Sequence, residues 1–212
     1  GFAQKMDVSY SQIDALPPIS KLMGYAQSDA KKSLWQIVNT LIPFGFMWYL
    51  TYKSLAFPYW VTLLLSIPTS LFVVRLFIFQ HDAGHGSFFK SHRANDLVGY
   101  WIGVLTLSPY HYWQKTHAIH HATSGNLDKR GFGDIDTLTV KEYMSLSSWG
   151  RFKYRAYRHP ITMFLVGPFF QFVIKHRFPY NIPKSWKREW HSVHLTNLAV
   201  DTVLALAWET IK

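Results

Sequence analysis

The sequence of 212 residues contains no cysteine. Disulfides, thiolate metal ligation and thiol catalysis are therefore excluded within it, and histidine, carboxylate and hydroxyl groups are left to carry any chemistry. Charge is missing over two long stretches as well. Neither Ser33 to Tyr52 nor Ser54 to Val74 holds an Asp, Glu, Lys or Arg, and only Lys53 parts them. Each stretch approximates the ~20 residues needed to cross a bilayer. The pattern predicts a tight helical hairpin through a membrane. A pair of buried helices in a large soluble core is the competing reading, and it is disfavoured because charge-free runs of this length are rare in soluble helices.

Acidic residues are the third scarcity. Twelve Asp and Glu face 22 Lys and Arg, for a net charge of +10. The excess is local: Lys141 to His191 holds ten Lys/Arg against two acids. Basic clusters beside apolar helices are expected to face the cytoplasm and anionic lipid head groups. Nucleic-acid binding is the rival reading of a basic chain, but this charge sits between apolar spans and no nucleic-acid motif accompanies it. Internal repeats, low-complexity segments and a signal peptide with a basic start and apolar core are all missing. The chain opens on Gly1 and closes just after the apolar run LAVDTVLALAW, so it reads as a fragment of a longer protein.

Four regions follow. Residues 1–30 are polar, and Pro17-Pro18 forbids a long helix there. Residues 31–80 form the hairpin. Ser28 and Asp29 are candidate N-caps for its first helix, Pro43 and Gly45 lie inside that helix, Pro58 marks the turn and Pro68 bends the return. Residues 81–159 form a region at the cytoplasmic face, since two crossings return the chain to the side of Lys31 and Lys32. Within it, 97–109 is apolar but too short to span, and GNLDKRGFGDIDT is a turn-rich loop. Residues 160–212 hold further membrane helices, one from Ile161 to Ile174 interrupted by Gly167-Pro168 and one from about Leu195 that is cut short. The fold class expected is all-α: an integral membrane helical protein with a transmembrane hairpin and a cytoplasmic histidine region.

What the chain does have is histidine in two short boxes. QHDAGHGSFF carries His81 and His85; HYWQKTHAIHHA carries His117, His120 and His121. Spacings of three and four residues put side chains on one helix face, so each box aims at least two imidazoles at one point. Neutral imidazole suits zinc, copper, iron and nickel, and spacing alone does not choose among them. The zinc-protease signature HExxH is absent. A lone histidine is ordinarily a satisfied core or surface residue; five at ligand spacings just beyond an apolar span are not. His92 and His111 are weaker candidates, ordinarily loop or interface residues. Trp101, Tyr110 and Trp113 suit either a substrate tunnel or the anchoring of a membrane boundary.

HDAGH and, about thirty residues on, HAIHH resemble the HxxxH and HxxHH boxes of the membrane fatty-acid desaturases. The upstream hairpin, the PYHYW lead-in and the TLTVKEY tail resemble the acyl-lipid desaturases of the delta-12 type and their bacterial relatives. The resemblance implies a di-iron centre ligated almost entirely by histidine, with His81, His85, His117, His120 and His121 as iron ligands. It implies O2-dependent removal of two hydrogens from an acyl chain in the membrane, with electrons from a donor such as ferredoxin or cytochrome b5. Imidazole ligands need acceptors that fix their tautomers, and Asp82, Asp128, Asp134 and Asp136 are candidates, each also readable as an ordinary loop or cap aspartate. The family's third histidine box is absent: HSVH, with His191 and His194, does not match it, and His159 and His176 stand alone. Five ligands leave two iron ions incompletely ligated, so the chain is expected to be inactive alone. Fatty-acid hydroxylases, alkane monooxygenases and carotenoid ketolases share such boxes, and a zinc or copper membrane protein without oxidative chemistry is a reading from another class.

Overall fold

The computed structural model describes residues 27–131, 135–179 and 182–211. All regular structure among the described residues is helical. Helix α1, Ala30–Lys53, starts where Asp29 caps it, with Oδ1 accepting from the backbone N–H groups of Lys31 at 2.9 Å and Lys32 at 3.3 Å. A carboxylate here satisfies two orphan donors and suits the positive end of the helix dipole. Pro43 is accommodated inside α1. A single 3₁₀ turn, Ser54–Ala56, and Pro58 at the N-cap reverse the chain into α2, Tyr59–Gly84, which carries Pro68 in its interior.

The two helices are antiparallel and tied along their length by polar groups. Ser54 Oγ lies 2.8 Å from Thr62 Oγ1, Thr51 Oγ1 lies 3.2 Å from Thr69 Oγ1, and the Arg75 guanidinium donates to Asn39 Oδ1 at 3.1 Å. The Ser33 hydroxyl donates to the Phe88 carbonyl at 2.6 Å, fixing the base of the hairpin to the chain beyond α2. By length and composition α2 is the helix among the described residues apolar enough to cross a membrane. Helix α1 is equally free of charge along 33–52 but diluted by Gln36, Asn39 and Thr40. Both turn large apolar side chains outward, among them Trp35, Ile42 and Phe46 of α1 and Trp60, Leu64 and Leu71 of α2.

Helix α3, His92–Leu105, begins earlier than its apolar stretch, because Ser91 caps the polar HRAND segment. A turn through Leu107, with φ of 55°, leads into α4, Tyr110–Thr123. The core lies where α2, α3 and α4 meet and is built from Leu76, Phe79, Ala83, Phe88, Ile102 and Tyr110. Gly99 on α3 lets the Tyr110 ring press against the helix backbone, a position any Cβ would occupy. Beyond α4 the chain forms a 3₁₀ turn at Leu127–Lys129 and then two short helices, α5 (Val140–Ser145) and α6 (Ser148–Tyr157). The apolar stretch from 162 onward is one helical rod. Pro168 cannot supply a backbone donor, and wide π windings over Thr162–Val166 and Phe170–Lys175 flank the short α7, Gly167–Phe169. Helix α8, Lys187–Ile211, starts before its apolar run and packs Val193 against Tyr112 of α4.

Candidate metal centre

The last turn of α2 and the middle of α4 meet at four histidines. The ligand-capable nitrogens of His81, His85, His117 and His121 all lie within 4.8 Å of one another. His117 Nε2 sits at the middle, 3.2 Å from His85 Nε2 and 3.0 Å from His121 Nε2. Three Nε2 atoms aimed at each other leave lone pairs converging on one point, which suits a cation. The His117 pKa is pulled down to about 4, first by burial and then by the neighbouring imidazoles His121, His81, His85 and His120. Burial, then His81 and His121, also lowers His85. Both rings are thereby kept neutral with a lone pair to donate at ordinary pH, the form a metal requires.

Box two divides. His121, four residues after His117, joins the cluster; His120, three residues after, lies outside it, with its ring centroid 6.1 Å from that of His117. His120 instead lines a second cavity of about 570 Å3, with Tyr112, Trp113, Phe170, Phe172 and His176 on its walls. The first cavity, about 540 Å3, is lined by His85, His117 and His121 and by His111, Arg188 and Glu189. His117 lines both spaces. His111 is turned away, its Nδ1 3.4 Å from Gln114 Oε1 and its Nε2 accepting from Arg188 at 3.3 Å. His92 likewise lies outside the group of four.

The geometry is held by side chains that the spacing of histidines does not reveal. The final carbonyls of a helix have no partner within it. Here Tyr110 Oη donates to Ala83 O at 3.0 Å and Gln114 Nε2 donates to Gly84 O at 3.0 Å. Tyr110, Gln114, His117 and His121 recur every three or four residues, so the face of α4 that caps α2 is the face that presents the imidazoles. Trp113 stacks on His117 with centroids 4.5 Å apart and rings 19° from parallel. It packs so closely on Gly84 that a Cβ there would lie 2.7 Å from the indole. Gln80, fully buried one residue before His81, accepts from Thr106 Oγ1 at 2.8 Å and donates to Ser108 O at 3.1 Å. It ties α2 to the turn that launches α4.

Of the four aspartates, Asp82 lies against a ligand candidate, its Oδ1 3.2 Å from His81 Nδ1. Asp128 and Asp136 lie in the loop around Arg130, whose guanidinium feels both charges. Asp134 falls outside the described residues. Tyr110 is fully buried, Trp113 lines both cavities and Trp101 is exposed. Gln80, the first polar residue after the apolar run LFIF, was the available signal for its tie.

The chain is similar to proteins of one kind. It is 46% identical over 185 residues to a fatty acid desaturase of Bacillus subtilis, an alignment covering 87% of this chain and 52% of the relative. An sn-1 acyl-lipid omega-3 desaturase (ferredoxin) of Synechocystis is 47% identical over 53 residues, 25% of this chain and 15% of the relative. An sn-1 oleoyl-lipid 12-desaturase of Anabaena variabilis is 29% identical over 133 residues, covering 62% of this chain and 35% of the relative. The chain thus spans about half the length of the Bacillus relative and less of the other two. No solved structure matches it. The likeness carried by the two boxes extends over the whole helical assembly that holds them: residues 30–210 match the model of the fatty acid desaturase family, and the chain belongs to that family.

Proposed function

We propose that this chain is the hairpin and first metal-binding half of a membrane desaturase that converts a single bond of a lipid acyl chain to a double bond. One observation carries the reading: four imidazoles from two boxes converge at the end of the helix that, among the described residues, is apolar enough to span a bilayer. The donor set fits iron, since every ligand is an imidazole nitrogen, a donor that iron accepts. His81, His85, His117 and His121 hold one iron. His120, facing the aromatic cavity, belongs to a second, completed by ligands outside this chain. When bound, the iron pair supplies O2 activation. Overall, the acyl –CH2–CH2– unit, O2, two electrons and two protons yield –CH=CH– and two waters.

The chain's own groups do the rest. Asp82 accepts from His81 and fixes its tautomer, the usual partner of a metal-bound imidazole. Tyr112, Trp113, Phe170 and Phe172 line a slot beside His117 and His120, and their rings suit a methylene chain. The exposed apolar belt of α1 and α2 lies in lipid, with both boxes at the cytoplasmic end. An electron carrier such as ferredoxin or cytochrome b5 delivers the electrons.

A second reading has an observation of its own: four converging nitrogens also make a complete tetrahedral zinc set. Metal analysis and product analysis of the complete gene product separate the two. The expected result is two irons per chain and a new double bond in membrane acyl chains, with both lost in His85→Ala. Stoichiometric zinc without iron would reject the oxidative reading, and oxygen retained in the product would move it to a hydroxylase.

A further inference from the structure

Helix α6 is built unlike the helices around the histidines. None of its residues is buried, and it sets large aromatic rings among three cations. Its inward face is fixed by hydrogen bonds to the preceding loop: Tyr154 Oη accepts from the Leu138 N–H at 3.1 Å, and Tyr157 Oη accepts from the Asp136 N–H at 3.3 Å. The Arg151 guanidinium donates to the Leu146 and Met144 carbonyls at 3.1 and 3.0 Å. These contacts set the rotation of the helix. Trp149, Phe152 and Ala156, spaced by three and four residues, therefore form an outward stripe. Trp149 is 64% and Phe152 52% exposed, and the two rings stack with centroids 5.2 Å apart. Lys153 flanks the stripe on one side and Arg155 on the other, both exposed. Beyond it the chain passes Arg158 and His159 into a helix that turns Phe164, Leu165 and Phe169 outward.

An exposed apolar stripe is a liability in water unless something covers it. The pattern of apolar centre, flanking cations and an aromatic pair is that of a helix lying in the plane of a lipid interface. The long stems of Lys153 and Arg155 can follow the apolar stripe downward while their charges stay among phosphates. At the end of α6, a groove of about 530 Å3 gathers Arg155, Arg158 and His159 beside Val140 and Tyr143. Charge complementarity selects an anionic surface over a neutral one, and the exposed rings of Trp149 and Phe152 between the cations favour phospholipid over an acidic protein face. Continuity with the outward apolar side of the next helix selects lipid over another copy of the chain.

We infer that α6 is an in-plane membrane helix that seats Trp149 and Phe152 among acyl chains and Lys153 and Arg155 against anionic head groups. The inference rests on the membrane reading proposed above but is separable from it. The cysteine-free sequence allows single-cysteine labelling, with any cysteine elsewhere in the complete gene product replaced. Phe152→Cys on α6 and, as reference, Leu71→Cys on α2 are labelled with an environment-sensitive fluorophore. The protein is reconstituted in phosphatidylcholine vesicles with or without phosphatidylglycerol. The expected result is strong quenching at 152 by lipid spin-labelled near the head group and little by aqueous iodide, with position 71 quenched by deeply spin-labelled lipid. Lys153→Glu with Arg155→Glu should cut the shallow quenching at 152 several-fold in phosphatidylglycerol vesicles and leave 71 unchanged. Iodide quenching at 152 would overturn the inference, as would shielding from both quenchers, which would mean that protein covers the stripe. Failure at 71 would overturn the membrane reading itself.

Discussion

Two parts of the molecule spend their side chains in opposite ways. Where α2, α3 and α4 meet, polar groups are buried and paired: Gln80 with Thr106 and Ser108, Asn95 with both backbone groups of Phe89, Tyr110 with Ala83. From residue 140 to 175 the helices bury none of their residues and point apolar groups outward. A ligand cluster needs its nitrogens fixed to a fraction of an ångström, and a packed wedge cross-tied by buried hydrogen bonds supplies that. A surface that meets a fluid needs the right polarity and little precision. The contrast explains why the histidines sit in the wedge.

The contrast breaks most easily at Gln80. Gln80→Met keeps the volume but leaves the Ser108 carbonyl without its donor and removes one partner of Thr106, and a buried group orphaned in this way costs about 1–3 kcal/mol. The thermal midpoint should fall by several degrees, and bound metal should drop because the turn that launches α4 loosens. Met144→Ala, a larger truncation in the 140–175 part at a residue 58% exposed, should leave both quantities unchanged. Equal effects of the two substitutions, read by calorimetry and metal analysis on the complete gene product, would erase the distinction.

What the sequence made legible was whatever repeats at short range. Four histidines announce themselves because i, i+4 spacing survives translation into a helix face. Asp29 reads as a cap because capping is local, and Asp82 needs only to be next to His81. Gln80 was hidden because its partners lie 26 and 28 residues away. The departure of His120 was hidden too: i+3 and i+4 both fit one face, and the rotation of α4 is fixed by tertiary contacts, Trp113 on Gly84 and the bonds of Tyr110 and Gln114 to the end of α2. The start of α3 at His92 was masked by a polar first turn, where a serine cap outweighs the missing apolar periodicity. The outward stripe of α6 was legible as charge but not as a surface, since its rotation depends on tyrosines that bind a loop.

A smaller effect separates the two parts by pH. His176 is buried against Tyr112 and Phe172, and burial, with the charges of Arg177 and Lys175, holds its pKa down to about 3, against 6.5 for a free imidazole. Below 6.5 the unfolded chain takes up a proton that the folded chain refuses, so stability is full above that value and lost progressively as the pH falls toward 3. Thermal midpoints measured across this window should decline on acidification, and His176→Gln should flatten the decline. An unchanged slope in the variant would place the acid sensitivity elsewhere.

The least effect is expected at the loop that joins the two parts. Arg130 grips Glu142 with two hydrogen bonds, of 2.9 and 3.0 Å, while Glu142 also accepts from the Thr139 N–H and hydroxyl as half of a capping box. The Arg130 contact first, then the Thr139 backbone and hydroxyl, hold the Glu142 pKa down to about 2. The interaction is therefore present above the ordinary 4.5 and fades only as the pH falls through about 2. Exposed pairs of this kind contribute little to global stability, but this one closes the segment from 130 to 142. Glu142→Gln keeps the cap's acceptor and removes the charge. Tryptic cleavage after Lys129 and Arg130 should quicken about two- to three-fold, the modest effect of weakening a surface pair, while metal content stays constant. Metal lost together with loop order would mean that the loop transmits strain into the histidine wedge, and the two parts would then have to be treated as one.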